Sequence, residues 1–152
     1  MSQNLYFPLF VDLSEKRIVV IGAGTIAKRR VKALYDFAGQ ITVVAPEIHP
    51  DIQKLANTDK LKTIRKCYES ADLDDADIVL AATNDKIVNR EIAELCQEKH
   101  IPVNNCSDRE QCDFYFPGII HTENDVIGVT ASGQDHAKAK EITEKIKKAL
   151  DG

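Results

Sequence analysis

Arg17-Ile18-Val19-Val20-Ile21-Gly22-Ala23-Gly24-Thr25-Ile26-Ala27 is the stretch that decides the fold. A β-branched run feeds directly into G-x-G-x-x-A. A helical pattern follows, with Ala27, Val31 and Leu34 on one face and Lys28, Arg29 and Lys32 on the other. The glycine turn alone is a weak signal. Between a buried-type strand and a helix it reads as the opening of a dinucleotide-binding unit. Gly22 allows the tight turn, and Gly24 lets backbone approach a pyrophosphate. Ala27 is small enough for the helix to pack close to the strand. The N–H groups of the first helical turn, at Thr25 and Ile26, face the phosphates. Glycines serving chain geometry alone are the plainer alternative. Three small residues at the required spacing weigh against it.

Working outward, strand and helix signals alternate. An apolar stretch, Tyr6 to Leu13, and a turn at 14–16 precede the first strand. The first helix spans 25–37, with Gly39 as its stop. A second strand covers 40–45 and is ended by Pro46. A helix over 49–57, a strand over 61–66 and an acidic turn at 72–77 come next. Residues 78–82 are short and wholly apolar, as suits a central parallel strand. A helix over 85–100 turns Val88, Ile92 and Leu95 inward, and Pro102-Val103-Asn104 opens a fifth strand. This alternation predicts an α/β fold, a Rossmann-like parallel sheet with helices on both faces. The pattern then changes. Strands over 114–121 and 126–130 are joined by Thr122-Glu-Asn-Asp125 as a hairpin, and a helix over 137–150 follows. The expected division is a nucleotide-binding domain over 1–113 and a second region over 114–152.

The bulk numbers exclude several classes. A chain of 152 residues is one domain with a small appendage and hides roughly 70% of its unfolded surface. A formal net charge of −4 argues against a general nucleic-acid surface. No apolar run approaches the ~20 residues that cross a bilayer. The N-terminus lacks the basic and apolar regions of a secretory signal, so a cytoplasmic location is expected. The cysteines at 67, 96, 106 and 112 form no C-x-x-C and read as free, mostly buried thiols. Five residues separate Cys106 from Cys112, a spacing that fits no common zinc site. No metal site is assigned.

The crevice of such a fold draws its residues from strand ends. A dinucleotide unit usually ends its second strand in an acid for the adenine ribose. Here that end is Ala45-Pro46, with Glu47 two residues on and no arginine for a 2′-phosphate. NAD is therefore expected over NADP. Further cofactor contacts are expected from Thr83 and Asn84 after the fourth strand and from Asn104 after the fifth. Thr83 and Asn84 are equally good helix caps, and one residue can serve both purposes.

These residues together resemble the precorrin-2 dehydrogenase and siroheme synthase N-terminal family. The resemblance runs over Tyr6 to Leu13, Gly22 to Arg30, Thr42 to Pro46, Ala81 to Asp85 with Val88-Asn89, Val103-Asn104 through Cys112 to Pro117, and Val129 to Gly133. The acid-free end of the second strand is itself a family trait. The resemblance implies NAD-dependent oxidation of precorrin-2 to sirohydrochlorin in siroheme biosynthesis. Hydride goes to NAD and a base removes a proton. The family places an Asp in Val-Asn-x-x-Asp; here that position is Ser107, and the adjacent Asp108 is assigned as the base. The substrate carries many carboxylates, so Ser107, Arg109, Thr130, Ser132, His136 and Lys138 are assigned to bind it. Some members also insert iron, for which His121, His136 and Asp108 are the candidate ligands.

Longer relatives continue into a further helical domain, and the resemblance is to a short form. It implies a homodimer, with the hairpin and last helix as the dimerisation and substrate-cleft region. Ile119, Ile120, Ile127 and the stripe of Ile142, Ile146 and Leu150 are more apolar surface than one sheet edge covers. Two other functions compete. One is a bifunctional dehydrogenase and ferrochelatase. The other, of a different class, is a non-catalytic NAD-sensing domain, which needs only the glycine turn and a ribose-binding acid.

Overall fold

The computed structural model describes residues 4–56 and 58–152. The chain groups into two compact units, Asp12–Phe114 and the N-terminal segment through Val11 with Tyr115–Gly152.

In the larger unit, β1 (Arg17–Ile21), β2 (Gln40–Ala45), β3 (Leu61–Arg65), β4 (Ile78–Ala81) and β5 (Val103–Asn105) form one parallel sheet in the order β3-β2-β1-β4-β5. Helices α1 (Thr25–Tyr35), α2 (Pro50–Leu55) and α3 (Lys86–Glu98) make or follow the crossovers. Parallel strands covered on both faces need apolar residues at every position. Accordingly Ile18, Val19, Val20 and Ile21 are all buried. Val19, Ile21, Val44, Val79, Ala81 and Val103 pack with Ile92, Ala93 and Cys96 of α3. Strand alternation puts Ile18, Val20, Ile41 and Val43 on the other face. Helix α1 lies on β1 and buries Ala27 and Val31. The strand order reverses between β1 and β4, so the carboxyl ends of those two strands frame the crevice.

The smaller unit is built on the antiparallel hairpin of β6 (Gly118–His121) and β7 (Val126–Val129), with α4 (His136–Asp151) packed on it. Gly118 lies against Thr143 of α4; an added Cβ would come within 2.3 Å of Thr143 Oγ1. Tyr6 stacks on Tyr115, with ring centroids 4.3 Å apart, and donates its N–H to Ser132 Oγ. These contacts group the N-terminal segment with the hairpin and α4.

Several element ends differ from expectation, each for a local reason. Strand β6 begins at Gly118 rather than at 114, because Phe114 O is taken by Asn104 Nδ2 and Pro117 has no N–H for a ladder. The cap of α3 is Asp85, whose Oδ1 accepts from Ile87 N–H and Val88 N–H; neither Thr83 nor Asn84 has that role. Helix α2 starts at Pro50 after a cap from His49 Nδ1 and ends at Leu55; Asn57, its expected last residue, lies outside the described residues. Helix α1 ends at Tyr35 with Asp36 as its cap, before Gly39. Gly39 is needed for a close approach instead: a Cβ there would lie 1.7 Å from Ser14 O. Cys96 is buried, Cys106 and Cys112 are half-buried, and Cys67 is exposed, so burial is less general than expected.

Candidate functional site: the crevice at the sheet's carboxyl edge

Gly22 leaves β1 with φ +110, and its N–H bonds to Val44 O at 2.9 Å. A Cβ at Gly22 would lie 2.3 Å from Ala82 O and 2.8 Å from Thr83 N. The turn after β1 and the loop after β4 are therefore in direct backbone contact. Gly24 differs: a Cβ there would meet nothing within 4 Å. No protein atom requires a glycine at that position, so the space it leaves suits a ligand. Gly24 also caps α1 without a side-chain bond, and the first turn, Thr25 and Ile26 included, carries no acid. Exposed N–H groups without a competing carboxylate fit a pyrophosphate. The residues present thus fit a dinucleotide.

At the end of β2, Ala45 is buried and Pro46 and Glu47 are exposed. The chain then folds back, and His49 N–H bonds to Ala23 O at 3.1 Å. This brings the Glu47 loop beside the glycine turn.

Beyond β4 and β5, Asn89 of α3 organises the crevice. Its Oδ1 accepts from Thr83 N–H at 3.0 Å and from Thr83 Oγ1 at 2.6 Å. Its Nδ2 donates to Thr83 O at 3.0 Å and to Ser107 Oγ at 3.1 Å. Asn84 stays exposed beside this network. Ser107 donates its hydroxyl to Asn105 Oδ1 at 2.8 Å, and Asn105 Nδ2 donates to Gln111 Oε1 at 2.9 Å.

The loop that follows β5 is pinned at its base. Val103 N–H donates to Asp113 Oδ2, Asp113 N–H donates to Val103 O, and Asn104 Nδ2 donates to Phe114 O, each at 2.9 Å. The loop carries Asp108, half-buried, whose Oδ1 accepts from Glu110 N–H at 3.0 Å and caps a short 3-10 turn, Arg109–Gln111. Arg109 is exposed on that turn. Burial pushes the Cys106 and Cys112 thiols up, so both favour the neutral form. The guanidinium of Arg30, on α1, hydrogen-bonds Cys106 and opposes that shift. Cys112 Sγ sits 3.2 Å from Asn105 N, as a packing and hydrogen-bonding group of the loop.

Gly22, Gly24, Thr83, Ser107 and Asp108, on turns, and Thr25, at the start of α1, therefore lie at the carboxyl edge of one unit's sheet, whereas Asn104, expected after the fifth strand, lies within β5, buried, with its side-chain amide donating to Phe114 O. The remaining assigned residues for the substrate, Thr130, Ser132, His136 and Lys138, belong to the smaller unit. Thr130 is exposed and its Oγ1 accepts from Ser132 N–H. Ser132 is buried, has φ 53, and takes Tyr6 N–H on its hydroxyl. His136 and Lys138 are exposed in the first turn of α4, where Asp135 Oδ1 accepts Lys138 N–H at 2.9 Å. Among the described residues, no group of three or more His, Cys, Asp or Glu side chains gathers as a metal site. No helix among them is long and apolar enough to cross a membrane.

Asn89 and Arg30 were not singled out from sequence as site residues. Asn89 had a signal: an amide among the inward apolar residues of a helix needs polar partners. Arg30 had none, since a third basic residue after Lys28 and Arg29 reads as a wet helix face.

Residues 9–118 match the model of an NAD(P)-binding family. A precorrin-2 dehydrogenase of Bacillus subtilis (strain 168) is 33% identical over 145 residues, covering 95% of this chain and 89% of that protein. A multifunctional siroheme biosynthesis protein of Ruminiclostridium josui is 39% identical over 150 residues, covering 97% of this chain. The chain spans only 29% of that larger protein's length. Among solved structures, SirC, a precorrin-2 dehydrogenase, aligns at a TM-score of 0.78 and 26% identity, covering 95% of this chain and 71% of that one.

Proposed function

The chain belongs to the NAD(P)-binding family that includes precorrin-2 dehydrogenase, and from that membership we propose that it oxidises precorrin-2 to sirohydrochlorin with NAD. The observation that carries the reading is the pairing of an open Gly24 cradle with a braced, acid-bearing loop across the same strand ends. Gly22, Gly24, Thr25 and Ile26 would hold the pyrophosphate. Ala45, Pro46 and Glu47 would border the adenine ribose. Thr83, Asn84 and Asn104 would flank the far half of the dinucleotide. NAD bound there supplies the hydride acceptor.

The chain's own residues supply the rest. Asp108 takes the proton that leaves the macrocycle; with Oδ1 held by Glu110 N–H, Oδ2 is the oxygen that receives it. Removing one hydride and one proton balances a two-hydrogen oxidation. Ser107 and Arg109, from this loop, and Thr130, Ser132, His136 and Lys138 are the proposed partners of the substrate's carboxylates. Glu47, with no arginine beside it in sequence, favours NAD over NADP. We place the enzyme in the cytoplasm.

We also propose a homodimer. In the smaller unit Leu5, Phe7, Leu9 and Phe10 are 87%, 86%, 77% and 74% exposed, and Ile142 and Leu150 of α4 are exposed too. Apolar exposure concentrated in one segment and one helix marks an interaction surface.

The direct test is an anaerobic assay of the purified chain with precorrin-2, run with NAD, with NADP and with no cofactor. A parallel set contains ferrous iron. NAD-dependent formation of sirohydrochlorin supports the reading. A chain that binds NAD and leaves precorrin-2 unchanged contradicts it and favours the sensing-domain alternative. A further arm that supplies sirohydrochlorin with ferrous iron separates chelation from dehydrogenation.

A further inference from the structure

We propose that Asn89 is a positioning residue that couples the dinucleotide site, through Thr83, to the loop that carries Asp108. Its role at Asp108 rests on the function proposed above; the coupling itself requires only NAD binding.

A primary amide has two donors and two acceptor positions. In Asn89, which is 0% exposed, all four are used. Three bonds go to a single residue, Thr83: its N–H, its hydroxyl and its carbonyl. The fourth, Nδ2 to Ser107 Oγ, leaves for the neighbouring loop. Asn89 thus holds the β4 loop rigidly and reaches the β5 loop through one bond.

The chain of bonds continues in one direction. Ser107 accepts from Asn89 and donates to Asn105 Oδ1, and Asn105 donates to Gln111 Oε1. Asp108 lies between Ser107 and Gln111, so the bonds bracket the residue assigned as the base. The surroundings of Asn89 argue against plain packing. Its inward neighbours on α3, Ile92, Ala93 and Cys96, are apolar and fully buried. An aliphatic residue would fill the position without needing partners, whereas a buried amide is tolerated only when fully bonded. Bonds in such a network polarise one another, so displacing Thr83 alters the bond at Ser107. A ligand seated against Thr83 is therefore transmitted to the loop before the macrocycle arrives.

Hydrogen exchange across the loop, with and without NAD, tests the coupling. NAD should slow exchange at the Ser107 and Asp108 amides of the wild-type chain by about fivefold or more. Ser107→Ala removes the link between the loops together with the Ser107–Asn105 side-chain bond, at an exposed position, and leaves the Asn89 and Asn105 amides in place. It should bind NAD within about threefold of wild type and lose that protection. Asn89→Ala should behave likewise, and the double variant should be no worse than Asn89→Ala alone within about twofold. Full protection retained in Ser107→Ala means that NAD shields the loop directly, and overturns the proposal. So does a wild-type chain that binds NAD with no change in the loop. A wild-type chain that binds no NAD removes the functional reading together with the coupling. If Asn89→Ala does not fold, the Ser107→Ala result decides.

Discussion

Gly22 packs against the carbonyl of Ala82 so closely that a β-carbon at position 22 would lie 2.3 Å from that oxygen. Gly24, two residues on, has open space where its β-carbon would be. The two glycines of one motif thus differ: the fold itself demands the first, and the proposed pyrophosphate site demands the second.

Substitution by alanine should separate those demands. Gly22→Ala combines φ +110 with a backbone clash and should destabilise the chain by about 3 kcal/mol or more. Gly24→Ala should cost only the ~1 kcal/mol of a poorer helix cap and weaken NAD about tenfold or more. Thermal melts and NAD titrations of both variants check this. Equal NAD affinity in Gly24→Ala and wild type would remove the pyrophosphate from this turn.

The base is tested by Asp108→Asn. The amide oxygen still accepts Glu110 N–H, so the 3-10 cap survives while the proton acceptor is lost. Turnover should fall on the order of 10²–10⁴-fold, the usual worth of a positioned base, with NAD binding unchanged. Steady-state kinetics beside an NAD titration read both. Turnover within a few-fold of wild type would move the base elsewhere.

Much of this was legible in the sequence, and what was not has physical causes. The β1–α1 turn, the five parallel strands and the hairpin could be read because their signals are local: runs of buried-type residues, small residues at fixed spacing, and turn residues between strands. The loop 104–114 could be recognised as a block but not explained. Its bracing by Asn104, Asn105 and Asp113 depends on which backbone groups meet across it. The start of β6 was misplaced because β-propensity in Phe114-Tyr115-Phe116 is overridden by the tie to Asn104 and by Pro117. Thr83 reads as a cap and as a cofactor contact at once for the same reason that it serves Asn89: a short hydroxyl beside free N–H groups has several possible partners.

Cys96 makes stability depend on alkaline pH. Burial, with some help from the charge of Asp113, pushes its thiol from an ordinary 9.0 up to about 11. The folded chain therefore holds that proton more tightly than the unfolded chain. This contribution is complete below pH 9 and is lost as pH rises toward 11; it amounts to something on the order of 2 kcal/mol. Urea unfolding between pH 8 and 11 should show a steeper loss for wild type than for Cys96→Ala. Parallel curves would show that Cys96 does not titrate differently on unfolding.

The exposed apolar residues of the N-terminal segment and α4 should be covered by a second copy of the chain. Gel filtration with light scattering should give a dimer at micromolar concentration. Phe7→Asp with Phe10→Asp should shift it toward monomer, because burying two carboxylates in an interface is costly. A wild-type chain that is monomeric at every accessible concentration would remove the proposed dimer.

The central claim is tested most directly by stoichiometry. Precorrin-2 is mixed anaerobically with the chain and excess NAD, and sirohydrochlorin and NADH are followed in the same cuvette. The expected result is one NADH for each sirohydrochlorin formed, with neither appearing when NAD or the chain is left out. Sirohydrochlorin appearing without NADH, or NAD bound with precorrin-2 unchanged, would contradict the account.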